Sequence, residues 1–162
     1  YSPQENQAVF RRAAAALNPG GRLILAIENK YGLKYWAGSR EDHTTGLFDG
    51  IQGYPDHEMS HETFGKQELI DLITLSGFKN IHFYYPHPDY KIPHEIFSDL
   101  CLPDIYQTLP EAPNFDRDRL NLFSEKRTFL GLIRNGMYGF FANSFLIIAT
   151  KGKSLATDLR KV

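Results

Sequence analysis

One short apolar run constrains the fold of this chain more than any other stretch. Residues 22–29, RLILAIEN, follow an NPGG turn at 18–21 and have the length of a strand. Continuous apolar residues without polar alternation are typical of a strand that is buried on both faces of a sheet. We therefore expect an inner strand whose carboxyl end carries Glu28, Asn29 and Lys30.

The flanking segments alternate between helix and strand patterns. Residues 2–17 place apolar side chains on one helical face, namely Val9, Phe10, Ala13, Ala14 and Leu17. A second helix opens at Gly65 and ends at Gly77, and its core-facing residues are Leu69, Leu72, Ile73 and Phe78. Further strands are predicted at 80–86 and 143–152, a short helix at 95–102 and a longer helix at about 117–134. This alternation predicts an α/β sheet protein, and leaves the direction of the last strand open.

Composition bounds the class of protein. The 162 residues are 42% hydrophobic, which is sufficient for one domain with a full core. The net charge of -1 gives no overall field that would attract nucleic acid or an anionic membrane. No apolar stretch approaches the roughly 20 residues that span a bilayer, and no signal segment opens the chain. We expect a cytoplasmic protein without nucleic-acid binding or membrane insertion.

The single cysteine and the two ends carry smaller expectations. Cys101 cannot form an internal disulfide, which favours a reducing compartment, and it is interpreted as an apolar core residue of the short helix. The chain opens inside a helix start, with Ser2 as cap, Pro3 in the first turn and Glu5 completing a capping box. This start is typical of a piece cut from a longer chain. Residues 1–152 are expected to fold, and the polar, basic residues 153–162 to form a linker or tail.

Several segments, in this order, carry a family resemblance. LNPGGRLILAIEN, FGKQELIDLITLSGFKNIHFYYPHPDY and NSFLIIATKG resemble the C-terminal half of a class I S-adenosylmethionine-dependent methyltransferase, over nearly all of residues 1–152. More narrowly, ENKYGLKYWAG, EDHTTGLFDGIQGYP, YYPHPDYKIP, IFSD and FANSFLI resemble bacterial methyltransferase domains found beside or fused to glycosyltransferases of cell-surface polysaccharide synthesis.

This resemblance implies a fold and a function. The three strands would be the fifth, sixth and seventh of a Rossmann-like sheet, with the seventh antiparallel between the other two and a helical insertion at about 93–142. The chain would be the acceptor-side portion of a methyltransferase that acts on a small molecule or carbohydrate. The alternative is a non-catalytic interaction or structural module attached to a glycosyltransferase.

The family's cofactor grip has no counterpart in this sequence. The family holds S-adenosylmethionine on a Gly-rich turn after its first strand and on an acidic residue that ends the second. This chain contains no Gly-x-Gly, so the resemblance assigns the cofactor to the full-length parent and implies that the isolated fragment is inactive. A sheet without its first four strands would expose an apolar edge, and we expect dimerisation or strand pairing there.

Polar residues at the first strand end are the first site candidates. Ligands of open α/β sheets bind beyond the carboxyl ends of the strands, which is where Glu28, Asn29 and Lys30 fall. These residues are predicted to bind substrate. The alternative is that they only end a strand in water.

The loop over 29–64 is too long for a plain connector, and such loops are usually lids or binding loops. Its aromatic residues suit sugar rings or form a hydrophobic cluster that pins the loop: Tyr31, Tyr35, Trp36, Phe48 and Tyr54. Tyr31 and Tyr54 are predicted to bind substrate. Glu41-Asp42-His43 sets carboxylates beside an imidazole, so His43 is the candidate base, with a surface or capping histidine as the alternative.

The exit of the second strand, at 84–95, carries a comparable set of polar and aromatic residues. Tyr85, Asp89 and Tyr90 are predicted to bind substrate, and His87 and Lys91 lie among them. The prolines nearby fix the backbone, which suits a preorganised pocket wall and equally an ordinary rigid turn.

Residues 57–61 match a zinc-binding motif in residue type and spacing, but the surrounding sequence does not support a zinc site. His57, Glu58 and His61 match H-E-x-x-H, whose zinc chemistry needs both histidines on one helix. Pro55 before it and Gly65 after it leave hardly two turns, and no third ligand is marked by spacing. We therefore expect no metal site.

Overall fold

The fold was analysed in a computed structural model, which describes residues 3–55, 62–107, 109 and 119–152. The helices are α1 (Pro3–Ala16), α2 (Leu33–Trp36), α3 (Lys66–Leu75), α4 (Glu125–Arg134) and α5 (Tyr138–Phe141). The strands are β1 (Arg22–Glu28), β2 (Phe78–His87), β3 (Glu95–Ser98) and β4 (Ser144–Lys151). These elements form a mixed α/β fold, so the predicted α/β class is confirmed.

The four strands form one sheet in the order β1-β4-β2-β3, and all neighbouring strands are antiparallel. Ile147 of β4 lies opposite Leu25 of β1 on one side and opposite Phe83 of β2 on the other. Because β4 runs against both neighbours, β1 and β2 point in the same direction. Their carboxyl ends therefore lie at the same edge of the sheet.

One face of the sheet forms the core. Alternate residues of the strands point to this face and are buried or packed against the buried cluster: Leu23, Leu25, Ile27, Phe83, Tyr85, Phe145, Ile147 and Ala149. Phe10 and Ala14 of α1 and Leu69 and Ile73 of α3 belong to the same cluster, as their helical spacing predicts. Val9, also predicted for this face, is exposed. Gly77 follows the C-terminus of α3 and directly precedes β2. Its φ of 90° is a backbone angle that glycine adopts without strain.

The opposite face is open, which corrects the expectation for the first strand. Ile24 of β1 is 67% exposed, and Ile96 of β3 is also exposed. Strand β1 lies at the sheet edge and alternates between exposed and half-buried residues before the buried Glu28. Within the described residues, β1 is therefore an edge strand with one covered face, and the prediction of burial on both faces is wrong.

The short helix predicted over residues 95–102 is wrong. Residues Glu95–Ser98 form β3, which pairs with the end of β2, and the His94 amide donates to the His87 carbonyl oxygen at 2.8 Å. Hairpin pairing outweighs the helical interpretation because a four-residue segment has no helical periodicity of its own. Cys101 lies in the turn after β3 and is exposed, so its assignment to a helix core is wrong as well.

The longer helix begins later than expected. Helix α4 starts at Glu125, because the Ser124 side chain accepts a hydrogen bond from the Arg127 amide. The segment before it is not helical, since the Leu122 amide donates to the Ala37 carbonyl oxygen at 3.0 Å. The predicted first residues of this helix, the Ser2 cap, the side chain of Glu5 and the tail at 153–162 lie outside the described residues.

Candidate functional site

Five charged side chains meet where β1 and β2 end. Glu28 ends β1, Lys34 belongs to α2, and the loop after α2 supplies Asp42. Asp89 and Lys91 follow β2. We call these five residues the strand-end cluster, and it contains two residues that the sequence analysis placed at strand ends, Glu28 and Asp89.

The cluster is joined by short ion pairs. The Lys34 ammonium lies 2.8 Å from Asp89 Oδ2 and 3.6 Å from Glu28 Oε1. The Lys91 ammonium lies 3.0 Å from Glu28 Oε1 and 3.1 Å from Asp42 Oδ2. Glu28, Lys34 and Asp89 are buried, whereas Asp42 and Lys91 are partly exposed and form the outer side of the cluster.

Two buried asparagines hold the backbone around the cluster. Asn143, directly before β4, accepts a bond from the Lys34 amide at 2.8 Å and donates to the Pro88 carbonyl oxygen at 3.1 Å. Asn29 donates to the carbonyl oxygens of Phe140 and Ala142, both at 2.7 Å. The Asn29 amide group therefore positions the β1 exit, and its contact with a ligand stays a prediction.

The carboxyl groups of Glu28 and Asp42 have opposite pKa shifts. Burial, together with the hydrogen bond to Asp42, raises the pKa of Glu28 from 4.5 to about 7. Burial alone would raise the pKa of Asp42, but the hydrogen bond with Glu28 and the two lysines lower it to about 2. Between about pH 2 and pH 7 the pair therefore holds one proton, on Glu28.

The two lysines stay charged. Burial alone would lower the pKa of Lys34, but the carboxylates of Asp89 and Glu28 outweigh it and raise that pKa. Burial alone would also lower the pKa of Lys91. Glu28 and Asp42 both stabilise its ammonium group, and the net effect is a raised pKa. The cluster thus presents two fixed positive charges at pH 7.

A buried tyrosine hydroxyl adjoins the cluster without a partner. Tyr35 of α2 is 4% exposed, and its hydroxyl makes no hydrogen bond to any described residue. Burial, followed by the charges of Glu28 and Asp42, raises the pKa of this phenol well above its usual value. Tyr35 therefore carries a neutral hydroxyl group that is free to donate.

A separate cavity of about 270 Å³ lies between α1, α3 and the loop after β1. Lys30 and Tyr54, both predicted to bind substrate, line it together with Glu62, Thr63 and Phe64. The Lys30 ammonium lies 2.6 Å from Glu68 Oε1, and the Tyr54 hydroxyl bonds Thr63 Oγ1 at 2.6 Å. Lys30 and Tyr54 thus line this cavity and lie outside the strand-end cluster.

The remaining loop candidates lie outside the cluster. His43 is exposed, and its backbone amide donates to Glu41 Oε2 at 2.6 Å. Glu41 also accepts from the Thr44 amide and the Tyr54 hydroxyl, so its carboxylate shapes the turn that carries His43. Tyr31 stacks on Phe140 with ring centroids 5.4 Å apart. The role of His43 as a base stays a prediction.

The candidates on the second strand point in different directions. Tyr85 is fully buried in the core, and its hydroxyl bonds Asp99 and the Lys66 ammonium. His87 is also buried, with Nδ1 3.3 Å from the Tyr138 hydroxyl. Tyr90 is half-buried beside Glu28 and Asp89, whose charges together with burial raise its pKa. Of the second-strand residues predicted to bind substrate, Asp89 belongs to the strand-end cluster, Tyr90 adjoins it and Tyr85 lies in the core.

Sequence reasoning missed Lys34 as a site residue, and it considered Asp42 only as a carboxylate beside His43 and Tyr35 only as one of the aromatic residues of the loop. All three lie in the long loop after β1, which places them beside Glu28 through contacts with distant segments. One feature of the sequence could have indicated Lys34. A lysine among the apolar residues LKYW is unusual in a buried segment unless an acidic side chain pairs with it.

Neither a metal nor the implied cofactor has a site in the described part of the chain. No group of three His, Cys, Asp or Glu residues there could hold a metal ion, and His57, Glu58 and His61 lie outside the described residues. The described residues also contain no Gly-x-Gly turn after a strand, the feature on which the family that the sequence resembles holds S-adenosylmethionine. These residues therefore do not fit S-adenosylmethionine by themselves.

Comparison with known proteins adds no family. The chain matches no protein-family model, no curated protein and no solved structure. In the ranges that the structure describes, none of the helices has both the length and the apolar character that crossing a membrane requires.

Proposed function

We propose that this chain is the acceptor-side, C-terminal portion of an S-adenosylmethionine-dependent methyltransferase. Its substrate would be a small molecule or carbohydrate, in the synthesis of cell-surface polysaccharide. The observation that carries the proposal is the antiparallel position of β4 between two strands that run in the same direction. This is the arrangement that the sequence resemblance implies for the last three strands of such an enzyme.

The strand-end cluster supports an acceptor role for this part of the chain. In open α/β sheets, ligands bind beyond the carboxyl ends of parallel strands, and the cluster lies beyond the ends of β1 and β2. Carboxylates and the hydroxyls of Tyr35 and Tyr90 suit the hydroxyl groups of a sugar or a similar polar acceptor. Lys91 and Asp42 leave the outer side of the cluster partly open to such a ligand.

The open edge of β1 supports the same proposal. An unpaired edge strand with the exposed Ile24 at its centre is where the preceding strand of a larger sheet would pair. The cofactor-binding half would then belong to the parent protein. The proposal therefore assigns no cofactor contact to this chain.

The test is cofactor binding by the full-length parent. We expect calorimetry to show binding of S-adenosylmethionine by the parent and much weaker binding by the 162-residue chain. Transfer of a labelled methyl group to glycans or nucleotide sugars would then identify the acceptor. Absence of binding by a folded parent would contradict the proposal.

A second candidate is a non-catalytic interaction module attached to a glycosyltransferase. It is favoured by the exposed apolar residues of the open face and of the turn after β3: Ile24, Ile96, Leu100 and Tyr106. A parent that does not bind S-adenosylmethionine, but forms a complex with its adjoining glycosyltransferase that Ile24→Lys disrupts, would favour this candidate.

A further inference from the structure

The strand-end cluster contains three carboxyl groups and two lysines, so one carboxyl group, Glu28, has no lysine of its own. Lys34 pairs with Asp89 at 2.8 Å, and Lys91 pairs with Asp42 at 3.1 Å. These two pairs are neutral in sum, so an ionised Glu28 adds a third negative charge to two positive ones. A buried surplus charge is unfavourable, and a carboxyl group relieves it by taking up a proton.

Two polar atoms in this region have no hydrogen-bond partner among the described residues. Glu28 Oε1 is held by ion pairs alone, 3.0 Å from Lys91 Nζ and 3.6 Å from Lys34 Nζ, whereas the Tyr35 hydroxyl has no polar partner among the described residues. Buried polar groups in native proteins are usually satisfied, so such atoms call for a ligand or ordered water. Tyr35 is nearly fully buried, and it interacts electrostatically with Glu28 and Asp42.

A ligand from solvent would reach Glu28 past the two partly exposed residues of the cluster, Asp42 and Lys91. The Glu28 side chain is 6% exposed, whereas Asp42 is 33% and Lys91 is 41% exposed. Long side chains such as that of Lys91 change rotamer readily at a surface. A ligand that enters between Asp42 and Lys91 would thus meet the Glu28 carboxylate with the Lys91 ammonium beside it.

We propose that Glu28 is the proton acceptor of this site, and that its ligand is a neutral, hydroxyl-bearing molecule such as a sugar. In the step, the ligand O–H bond breaks, the proton moves to the Glu28 carboxylate, and the electron pair stays on the ligand oxygen. The Lys91 ammonium stabilises the negative charge that develops there. This inference rests on the proposed function for the identity of the ligand, and it assigns to Glu28 the role that the sequence suggested for His43.

The groups that face Glu28 come from three segments. Lys34 and Tyr35 face it from α2, Asp42 from the following loop, and Asp89, Tyr90 and Lys91 from the β2 exit. Asp42 is the negative charge that keeps a proton on Glu28, and the lysines oppose that effect. A base that titrates close to the working pH combines a useful ionised fraction with sufficient basicity.

The first experiment is a carboxyl carbon NMR titration of the 162-residue chain. We expect Glu28 to titrate near pH 7, as the burial and the Asp42 hydrogen bond require. Asp42→Asn should lower this midpoint by about one unit, because it removes the neighbouring negative charge. Asp71→Asn, an exposed change on α3, is the matched control and should leave the midpoint in place. A midpoint in the ordinary carboxyl range, or one that Asp42→Asn does not move, would overturn the proposal.

The second experiment measures methyl transfer by the full-length parent over pH. Glu28→Gln should lower kcat by about 100-fold or more, with little change in the acceptor KM. Asp42→Asn keeps the Glu28 carboxyl group, and it should move the acid limb of the kcat profile in the same direction as the NMR midpoint. Full activity of a folded Glu28→Gln variant, or an acid limb that only His43→Ala removes, would overturn the proposal. Failure of the parent to bind S-adenosylmethionine would contradict the proposed function, while the titration would still decide on Glu28.

Discussion

The side-chain oxygen of Asn143 accepts a hydrogen bond of 2.8 Å from the backbone amide of Lys34, a residue 109 positions earlier in the chain. The same side chain donates to the Pro88 carbonyl oxygen at the β2 exit. One amide group thus joins the start of β4, the short helix α2 and the end of β2. It fixes the backbone that carries Lys34 into the strand-end cluster.

Replacing this asparagine should destabilise the protein. Asn143→Ala leaves the Lys34 amide and the Pro88 carbonyl oxygen buried without their partner, which costs about 1–3 kcal/mol of unfolding free energy. Urea unfolding measures the loss. Asn135→Ala is the control, since the Asn135 side chain is exposed and bonds only its own helix at Gly131, and it should cost much less. Equal losses for both variants would contradict the assigned role of Asn143.

Gly38, in the loop after α2, has a backbone conformation and surroundings that do not accommodate a larger residue. Its φ of 107° is strained for other residues, and an added Cβ would lie 2.2 Å from the Leu120 carbonyl oxygen. Gly38→Ala should therefore cost about 1–3 kcal/mol of unfolding free energy or more. Gly131→Ala, inside α4 with open space around its Cβ, should be neutral or stabilising. Thermal unfolding of the two variants gives the comparison.

The pKa of Glu28 gives the stability a defined pH dependence. The folded state binds more protons than the unfolded state between pH 4.5 and about 7, so the free energy of unfolding falls as pH rises through this window. One group contributes a slope of at most about 1.4 kcal/mol per pH unit. Glu28→Gln cannot titrate and should flatten this slope, as urea unfolding at several pH values would show. If the free energy of unfolding has the same pH slope in Glu28→Gln as in the unsubstituted chain, Glu28 is not the group responsible for that slope.

The open edge of β1 should make the isolated chain associate. Ile24 is 67% exposed in the middle of an unpaired edge strand, and such edges pair with other chains. We expect a molecular mass that rises with concentration in sedimentation or light-scattering experiments, and a monomer for Ile24→Lys. Leu75→Lys changes a residue of the same exposure on α3 and should leave association intact. A chain that stays monomeric at every concentration would contradict this prediction.

His43 remains a second candidate for the base, and its variant separates the two hypotheses. If His43 acts on the acceptor, His43→Ala lowers kcat in the full-length enzyme far more than it lowers cofactor affinity. If Glu28 is the base, the loss for His43→Ala is smaller than that for Glu28→Gln. Steady-state kinetics and calorimetry on both variants provide the comparison.

The sequence predicted the elements that have a clear period or a clear boundary. The helix that ends at Gly77 and the three longer strands were found because their apolar spacing and end signals are local. The positions of Glu28 and Asp89 after apolar strands were also predicted, whereas their shared edge of the sheet follows from the direction of β4, which the residue pattern left open. Strand β3 was missed because its four residues, EIFS, have no period and depend on pairing with β2.

The rest of the site depends on contacts between distant segments. Lys34 and Asp42 are placed by a loop whose backbone bonds Asn143, Leu122 and Gly46, and no local pattern reports those partners. The pKa of Glu28 follows from that placement, since it depends on burial and on Asp42. A polar residue at a strand end is visible in the sequence, whereas its protonation state requires the folded loop.

The position of β4 also determines when the site forms during translation. Strand β4 is the last strand in chain order, yet it is the one that holds β1 and β2 in one sheet. Among the described strands β1 pairs with β4 alone, so β1 and β2 cannot be joined through β4 before residues 143–151 have been synthesised. The charged residues of the strand-end cluster belong to segments that precede β4 in the chain, so a product that terminates before residue 143 lacks both this strand pairing and the cluster.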